Sequence, residues 1–152
     1  MSHIIFFVYI LVIASILAKL EIAIEGPDGW AGKLPTWRLS PDHILSKIFL
    51  GGRPMTGYHL WMNLFSIFIL HSAFLFNAFS WVTELKVISA FILIWVIEDF
   101  LWFVLNPAYG VKNFVKEKIW WHEKRWFIIA PVEYFTLLPL GIFLYVISFL
   151  FR

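Results

Sequence analysis

Four long stretches of the chain are nearly free of charge. Ile4 to Leu20 is apolar apart from Tyr9, Ser15 and Lys19, and its amphipathic continuation Glu21 to Ile24 gives it the roughly 20 residues a helix needs to cross a ~30 Å hydrocarbon layer. A second stretch runs from about Tyr58 to Phe79 and a third from about Leu85 to Leu105, where Asn106-Pro107 stops it. The fourth runs from about Trp126 to Phe151, with kinks expected at Pro131 and Pro139. Asn77 to Glu84 is short enough to be a tight turn. The first stretch has no basic segment before it, and Ile16-Leu17-Ala18-Lys19 is not a small-x-small cleavage site, so it reads as a retained anchor.

The connection from Gly26 to Gly57 is too long for a turn. Pro27-Asp28-Gly29 marks a turn. Ser40-Pro41-Asp42 places a helix N-cap before proline at the first helical position, and Gly51-Gly52 ends that helix. Ile44, Leu45, Ile48 and Phe49 fall on one face and Asp42, Ser46 and Lys47 on the other, the pattern of a short interfacial helix over about 41–50 with Trp30 and Trp37 as anchors. The expected fold is all-α: a polytopic integral membrane protein of four transmembrane helices (about 4–24, 58–79, 85–105 and 126–151) and one interfacial helix, forming a single membrane domain over residues 1–152.

Composition sharpens this picture. Of the 152 residues, 61% are apolar and only 14% charged, against about 25% charged in soluble domains, and four spans leave no length for a soluble catalytic domain. Without Cys there are no thiolate metal sites or cysteine nucleophiles, and a net charge of +2 without a basic run gives no nucleic-acid signature. Lys19, Lys33, Arg38, Lys47, Arg53, Lys112, Lys116, Lys118, Lys124 and Arg125 fall on one side of the four spans and only Lys86 and Arg152 on the other. The positive-inside rule then puts both termini on the non-cytoplasmic side.

Ionisable residues inside spans are costly and point to function. At 1.5 Å per residue, Ser15, Asn63, Glu98, Asp99 and Glu133 share one layer roughly 8–11 Å deep, with His59, His122, Glu21 and Glu25 nearer the lip and His43 as a neighbour on the interfacial helix. His59, Asn63 and Ser66 form one stripe; Trp95, Asp99, Trp102 and Asn106 form another; His122, Trp126 and Glu133 align if the fourth helix is regular that far. Carboxylates in one membrane layer need compensation, from a divalent metal ion, from protonation, or from His and Arg partners. His59, Asp99, Glu133 and His122 are the candidate metal ligands. As acid/base groups Glu133, Asp99, Glu98 and His122 would be catalytic; Trp95, Trp102, Trp126 and Asn63 would line a substrate pocket, and Arg38 and Arg53 would hold an anionic headgroup.

Some chemistries are excluded. Trp121-His122-Glu123-Lys124-Arg125-Trp126 begins like a zinc-protease helix, but Trp126 stands where the second His is required. There are no multiple His clusters, no Gly-rich phosphate loop and no serine nucleophile elbow. His71, on the opposite leaflet, reads as an interhelix hydrogen-bonder.

The aromatic residues around the acids add a local likeness. Glu98-Asp99-Phe100-Leu101-Trp102-Phe103 and Pro131-Val132-Glu133-Tyr134-Phe135 resemble the Pro-x-Glu-Glu-aromatic helices of the small membrane lycopene cyclases, although Glu133 has no second acid beside it and Glu98-Asp99 has no proline. The resemblance covers those two stretches only. It implies an acid that protonates a polyene and π faces that steer a carbocation. The leading expectation is therefore an enzyme acting on a lipid or isoprenoid-like molecule. Two alternatives compete with it: a small transporter or ion-binding protein, and a non-catalytic subunit pairing with another copy or another membrane protein.

Overall fold

The computed structural model describes residues 3–151, and at Ile48 and Phe49 the backbone alone. Its helices are α1 (His3–Glu25), α2 (Ile44–Leu50), α3 (Gly57–His71), α4 (Ala73–Phe76), α5 (Trp81–Leu105) and α6 (Val132–Ile147), the last continued by a 3-10 turn to Phe151. Four helical segments, His3–Glu25, Gly57–Phe76, Trp81–Leu105 and Val132–Phe151, are long and apolar enough to cross a membrane. The protein is an all-α membrane protein.

Helix α5 is the axis. Half of its most apolar window is buried, against 22% in α1, 17% in α6 and 6% in the α3–α4 segment. A lipid solvent gives apolar side chains no reason to hide, so helices in it associate by close packing and by polar contacts. Both are seen here. α1 turns one stripe inward, Phe6, Ile10, Ala14, Ala18, Glu21 and Glu25, at steps of three and four residues. Ala14 and Ala18, fully buried, remove bulk where the backbones come together. On the other side of α5, Gly141 of α6 sits so close that a Cβ there would lie 2.7 Å from Leu93, and Ser89 Oγ donates to the Gly141 carbonyl at 2.7 Å. Phe6, Ile10, Ala14, Ala90, Leu93, Ile94 and Tyr145 form an apolar core in the half of the bundle near the chain ends. A second cluster, built on Ala18, Trp30, Trp102, Phe103, Ile119 and Trp121, lies where α1 and α5 finish and α3 and α6 begin.

Several local expectations change. The fourth helix starts at Val132 and not near Trp126, because Trp126–Phe127 (β1) and Ala130–Pro131 (β2) pair as a small antiparallel hairpin with Ile128 in the left-handed region at φ 53°. Pro131 therefore precedes the helix and causes no kink; only Pro139 lies inside it. The second span ends at Phe76, after a break at Ser72 between α3 and α4. The interfacial helix begins at Ile44, where His43 Nδ1 accepts from the Leu45 amide at 3.2 Å, while Ser40 Oγ closes a local turn on the Asp42 amide. Ser46 does not face water with Lys47. It is fully buried, and its Oγ accepts from the Met55 amide at 3.3 Å. Ile44 and Leu45 are exposed, consistent with an outward apolar face; the side chains of Ile48 and Phe49 lie outside the described residues.

The first connection folds back over the bundle end. Leu39 donates its amide to the Met55 carbonyl, Gly57 donates to the Trp37 carbonyl, and Asn106 Nδ2 ties the end of α5 to the Gly26 carbonyl at 3.0 Å.

Candidate functional site

A cavity of about 150 Å³ opens among the four spans at this end. α1 contributes Glu21 and Glu25; α3 contributes His59 and Asn63; α5 contributes Trp95, Val96, Glu98, Asp99, Trp102 and Phe103; and α6 contributes Glu133, Tyr134 and Leu137. The connections, with the last residue of α2, close it with Trp30, Leu50, Arg53, Trp121 and His122. An apolar cavity of about this size holds a molecule of benzene's dimensions.

Its polar groups form two linked sets. In the first, Tyr134 donates its hydroxyl to Asp99 Oδ2 at 2.5 Å, and His122 Nε2 lies 3.2 Å from Asp99 Oδ1. The other ring nitrogen, Nδ1, is 3.5 Å from Arg53 Nη1. A guanidinium only donates, so Nδ1 accepts and the imidazole proton sits on Nε2, directed at Asp99. The carboxylate lies among these partners yet its side chain stays 24% accessible. Arg53 is tied on every edge: Nε donates to the Leu50 carbonyl at 3.2 Å, Nη2 is 3.8 Å from Glu133 Oε1, and the guanidinium stacks 4.6 Å over the Trp30 ring. Burial pulls its pKa below the usual guanidinium value while Asp99 and Glu133 oppose that pull, and it stays protonated. Glu133 Oε1 also accepts from Arg125 Nε at 2.6 Å.

In the second set, Glu25 Oε1 accepts the Ala31 amide at 2.5 Å and lies 3.6 Å from His59 Nε2. His59 Nδ1 is 2.6 Å from Thr56 Oγ1, and its ring stacks on Trp30 with centroids 4.2 Å apart. Glu21 sits beside Tyr58 and Glu25. Five buried cavity-wall atoms have no hydrogen-bond partner among the described residues: Glu21 Oε1, Glu98 Oε1, Glu133 Oε2, Trp95 Nε1 and Trp102 Nε1.

Of the residues singled out from sequence, Glu98, Asp99, Glu133, His122, His59, Asn63, Trp95, Trp102 and Arg53 border this cavity. Trp126 does not. It belongs to the hairpin and packs on Phe114 with ring centroids 5.3 Å apart, because the helix that would have aligned it with Glu133 starts later. Arg38 also lies elsewhere, its guanidinium bonded to the Ala31 carbonyl and close to those of Trp30, Gly32 and Leu34. Arg38 thus braces the first connection from an exposed position, whereas Arg53 is enclosed by its own partners. His43 caps α2, Ser15 bonds back to the Leu11 carbonyl, and His71 pairs with Glu84 at 3.3 Å at the opposite end.

The metal expectation fares differently from the pocket. Among the described residues no three His, Asp or Glu side chains converge as a metal-binding group. His59, Asp99, Glu133 and His122 are divided between Thr56 and Glu25, Tyr134 and His122, and two guanidiniums, so they do not form one coordination sphere. Sequence reasoning missed Tyr134 as the donor to Asp99 and Trp30 and Trp121 as walls. Tyr134 adjoins Glu133 in sequence, but its contact with α5 depends on helix rotation, which carries no sequence signal.

Comparison with protein-family models, with curated proteins and with solved structures gives no match. The functional reading rests on the site itself.

Proposed function

We propose that this protein is an integral membrane enzyme that performs acid/base chemistry on one end of a lipid or isoprenoid-like amphiphile, with the cavity in the cytoplasmic leaflet and both termini on the other side. The observation that carries the reading is Glu98: 3% exposed, with Oε1 unpartnered, on a cavity wall shared with indole rings and with the braced Asp99–His122–Tyr134 cluster. Glu98 is the group that exchanges a proton with the bound molecule. Asp99, fixed by His122 and Tyr134, supplies an oriented negative charge beside it. Glu133, expected from sequence to share the acid role, is held between two arginines and serves as an ion-paired brace.

The size of the cavity sets the scope. About 150 Å³ admits a headgroup or a chain terminus and not a whole polyene. The apolar core of Phe6, Ile10, Leu93 and Ile94 fills the other half of the bundle, which favours a one-sided pocket over a transport path. Orientation follows from the basic residues of the two connections at the cavity end.

The test is a comparison of membrane lipids by mass spectrometry from cells carrying the wild type, Glu98→Gln or no copy. Wild type should shift at least one lipid species that Glu98→Gln leaves at the level of the cells without a copy. Identical profiles in all three would overturn the enzymatic reading. A C-terminal reporter fluorescent only in the cytoplasm should stay dark; a bright one would reverse the orientation.

A further inference from the structure

The charges around the cavity do not balance. Glu21, Glu25, Glu98, Asp99 and Glu133 border it, whereas its guanidiniums are Arg53 on the wall and Arg125 behind Glu133. Arg125 and Arg53 both bind Glu133, and Arg53 reaches Asp99 through His122. Glu25 has the Ala31 amide and His59. Glu98 is left facing Glu21, Asp99 and Glu25, all of its own sign. A buried carboxylate among like charges calls for a cation or a proton.

The unpartnered atoms describe that cation further. Glu21 Oε1, Glu98 Oε1 and Glu133 Oε2, as carboxylate oxygens, accept, and Trp95 Nε1 and Trp102 Nε1 can only donate. The complement of three acceptors and two indole donors is a group that carries N–H donors on a positive nitrogen and an oxygen beside it. Indole faces attract cations as well, and the site already holds one in that manner, Arg53 over Trp30 at 4.6 Å. A cavity of about 150 Å³ accommodates such a head, whose nitrogen, two carbons and oxygen make a smaller body than benzene.

We propose that the cavity binds the ammonium head of a vicinal amino alcohol, with the nitrogen at Glu98 and the oxygen at the Trp95 and Trp102 indoles. The inference rests on the reading of this cavity as the substrate site and names the class of head it takes. The same chemistry is found in free ethanolamine and in long-chain amino alcohols, and the two differ only in the alkyl chain.

The test uses the purified full chain in a maltoside detergent, whose sugar head is uncharged. Four probes are titrated with thermal unfolding and intrinsic tryptophan emission as readouts: ethanolamine, a long-chain vicinal amino alcohol, the matching alkyl alcohol without nitrogen, and the matching fatty acid. Either amine should raise the unfolding temperature at concentrations where the alcohol and the acid do not; response to the long-chain amine alone assigns a lipid source, and response to both assigns the head. Glu98→Gln should weaken the amine response about tenfold. Trp95→Phe, which keeps a ring but loses the N–H, should weaken the amino alcohol while leaving the response to a simple alkylamine, titrated as a fifth probe, unchanged, and it serves if Glu98→Gln does not fold. Equal stabilisation by alcohol and amine, or an amine response untouched in both variants, overturns the inference. That outcome leaves the enzyme reading intact for an uncharged substrate. Amine binding without any lipid change in cells would instead remove the enzyme reading and keep the ligand.

Discussion

His122 Nε2 stands 3.2 Å from Asp99 Oδ1 and joins the connection before α6 to the central helix α5. With Tyr134 donating to the other oxygen, one carboxylate ties together α5, α6 and the connection between them. Tyr134→Phe keeps the ring and removes one hydrogen bond to a charged acceptor, so it should cost about 1.5–3 kcal/mol in detergent unfolding experiments. His122→Ala should cost more, since it also severs the link to Arg53. A Tyr134→Phe protein as stable as the wild type would show that Asp99 does not organise this end.

The close approach of α5 and α6 makes a second prediction. Gly141→Ala places a methyl 2.7 Å from Leu93 and should destabilise by about 1–3 kcal/mol. Adding Leu93→Ala should recover part of that loss, so the double variant is more stable than the sum of the single effects. Strict additivity would mean that the two helices shift apart freely.

Two glycines at the start of the first connection allow a matched comparison. Gly26 and Gly29 both lie in the left-handed region, at φ +66° and +60°, but a Cβ at Gly26 meets open space while one at Gly29 runs into the Trp121 ring. Gly26→Ala should cost only the backbone term, about 1–2 kcal/mol. Gly29→Ala should cost more and should shift tryptophan emission as Trp121 is displaced from the cavity wall. Equal costs would mean that Trp121 is not held against this turn.

Arg53→Lys tests the arginine brace. An ammonium cannot reproduce a fork that reaches Leu50, His122 and Glu133 together, so this variant should be less stable than Arg125→Lys, whose side chain is partly exposed. The reverse order would place the main support of Glu133 at Arg125.

The spans were legible because a run of about 20 apolar residues matches the thickness of a bilayer and exceeds what most soluble cores bury in one helix. That Asn63, Glu98, Asp99 and Glu133 meet at one level of the bundle was legible for the related reason that helical rise converts residue number into position. Errors came where a local device displaced the general pattern. Ile128 and Ile129 extend the apolar run of the fourth span, but they form the tip of a hairpin; the residue before Pro131 is disfavoured in a helix, and that was the available signal. Ser46 reads as a polar-face residue until the Met55 amide supplies its partner. The pairing of Arg53 with Glu133, and of Tyr134 with Asp99, joins parts of the chain whose relative rotation no periodicity records.

The arrangement of partners bears on how the chain is made. Glu98, Asp99 and Glu133 belong to spanning helices, whereas Arg53, His122 and Arg125 lie in the connections at the same end of the bundle. None of these partners has to be carried through the lipid to meet its acid. Glu98 and Asp99 enter with α5 while Arg53 has already been synthesised and His122, Arg125 and Tyr134 have not, so the newborn site passes through a stage in which Asp99 lacks its partners, which ends as the connection before α6 and then α6 itself are made. Truncation just after α5 therefore leaves Asp99 without His122 and Tyr134, an arrangement the bilayer penalises and a quality-control protease can sense.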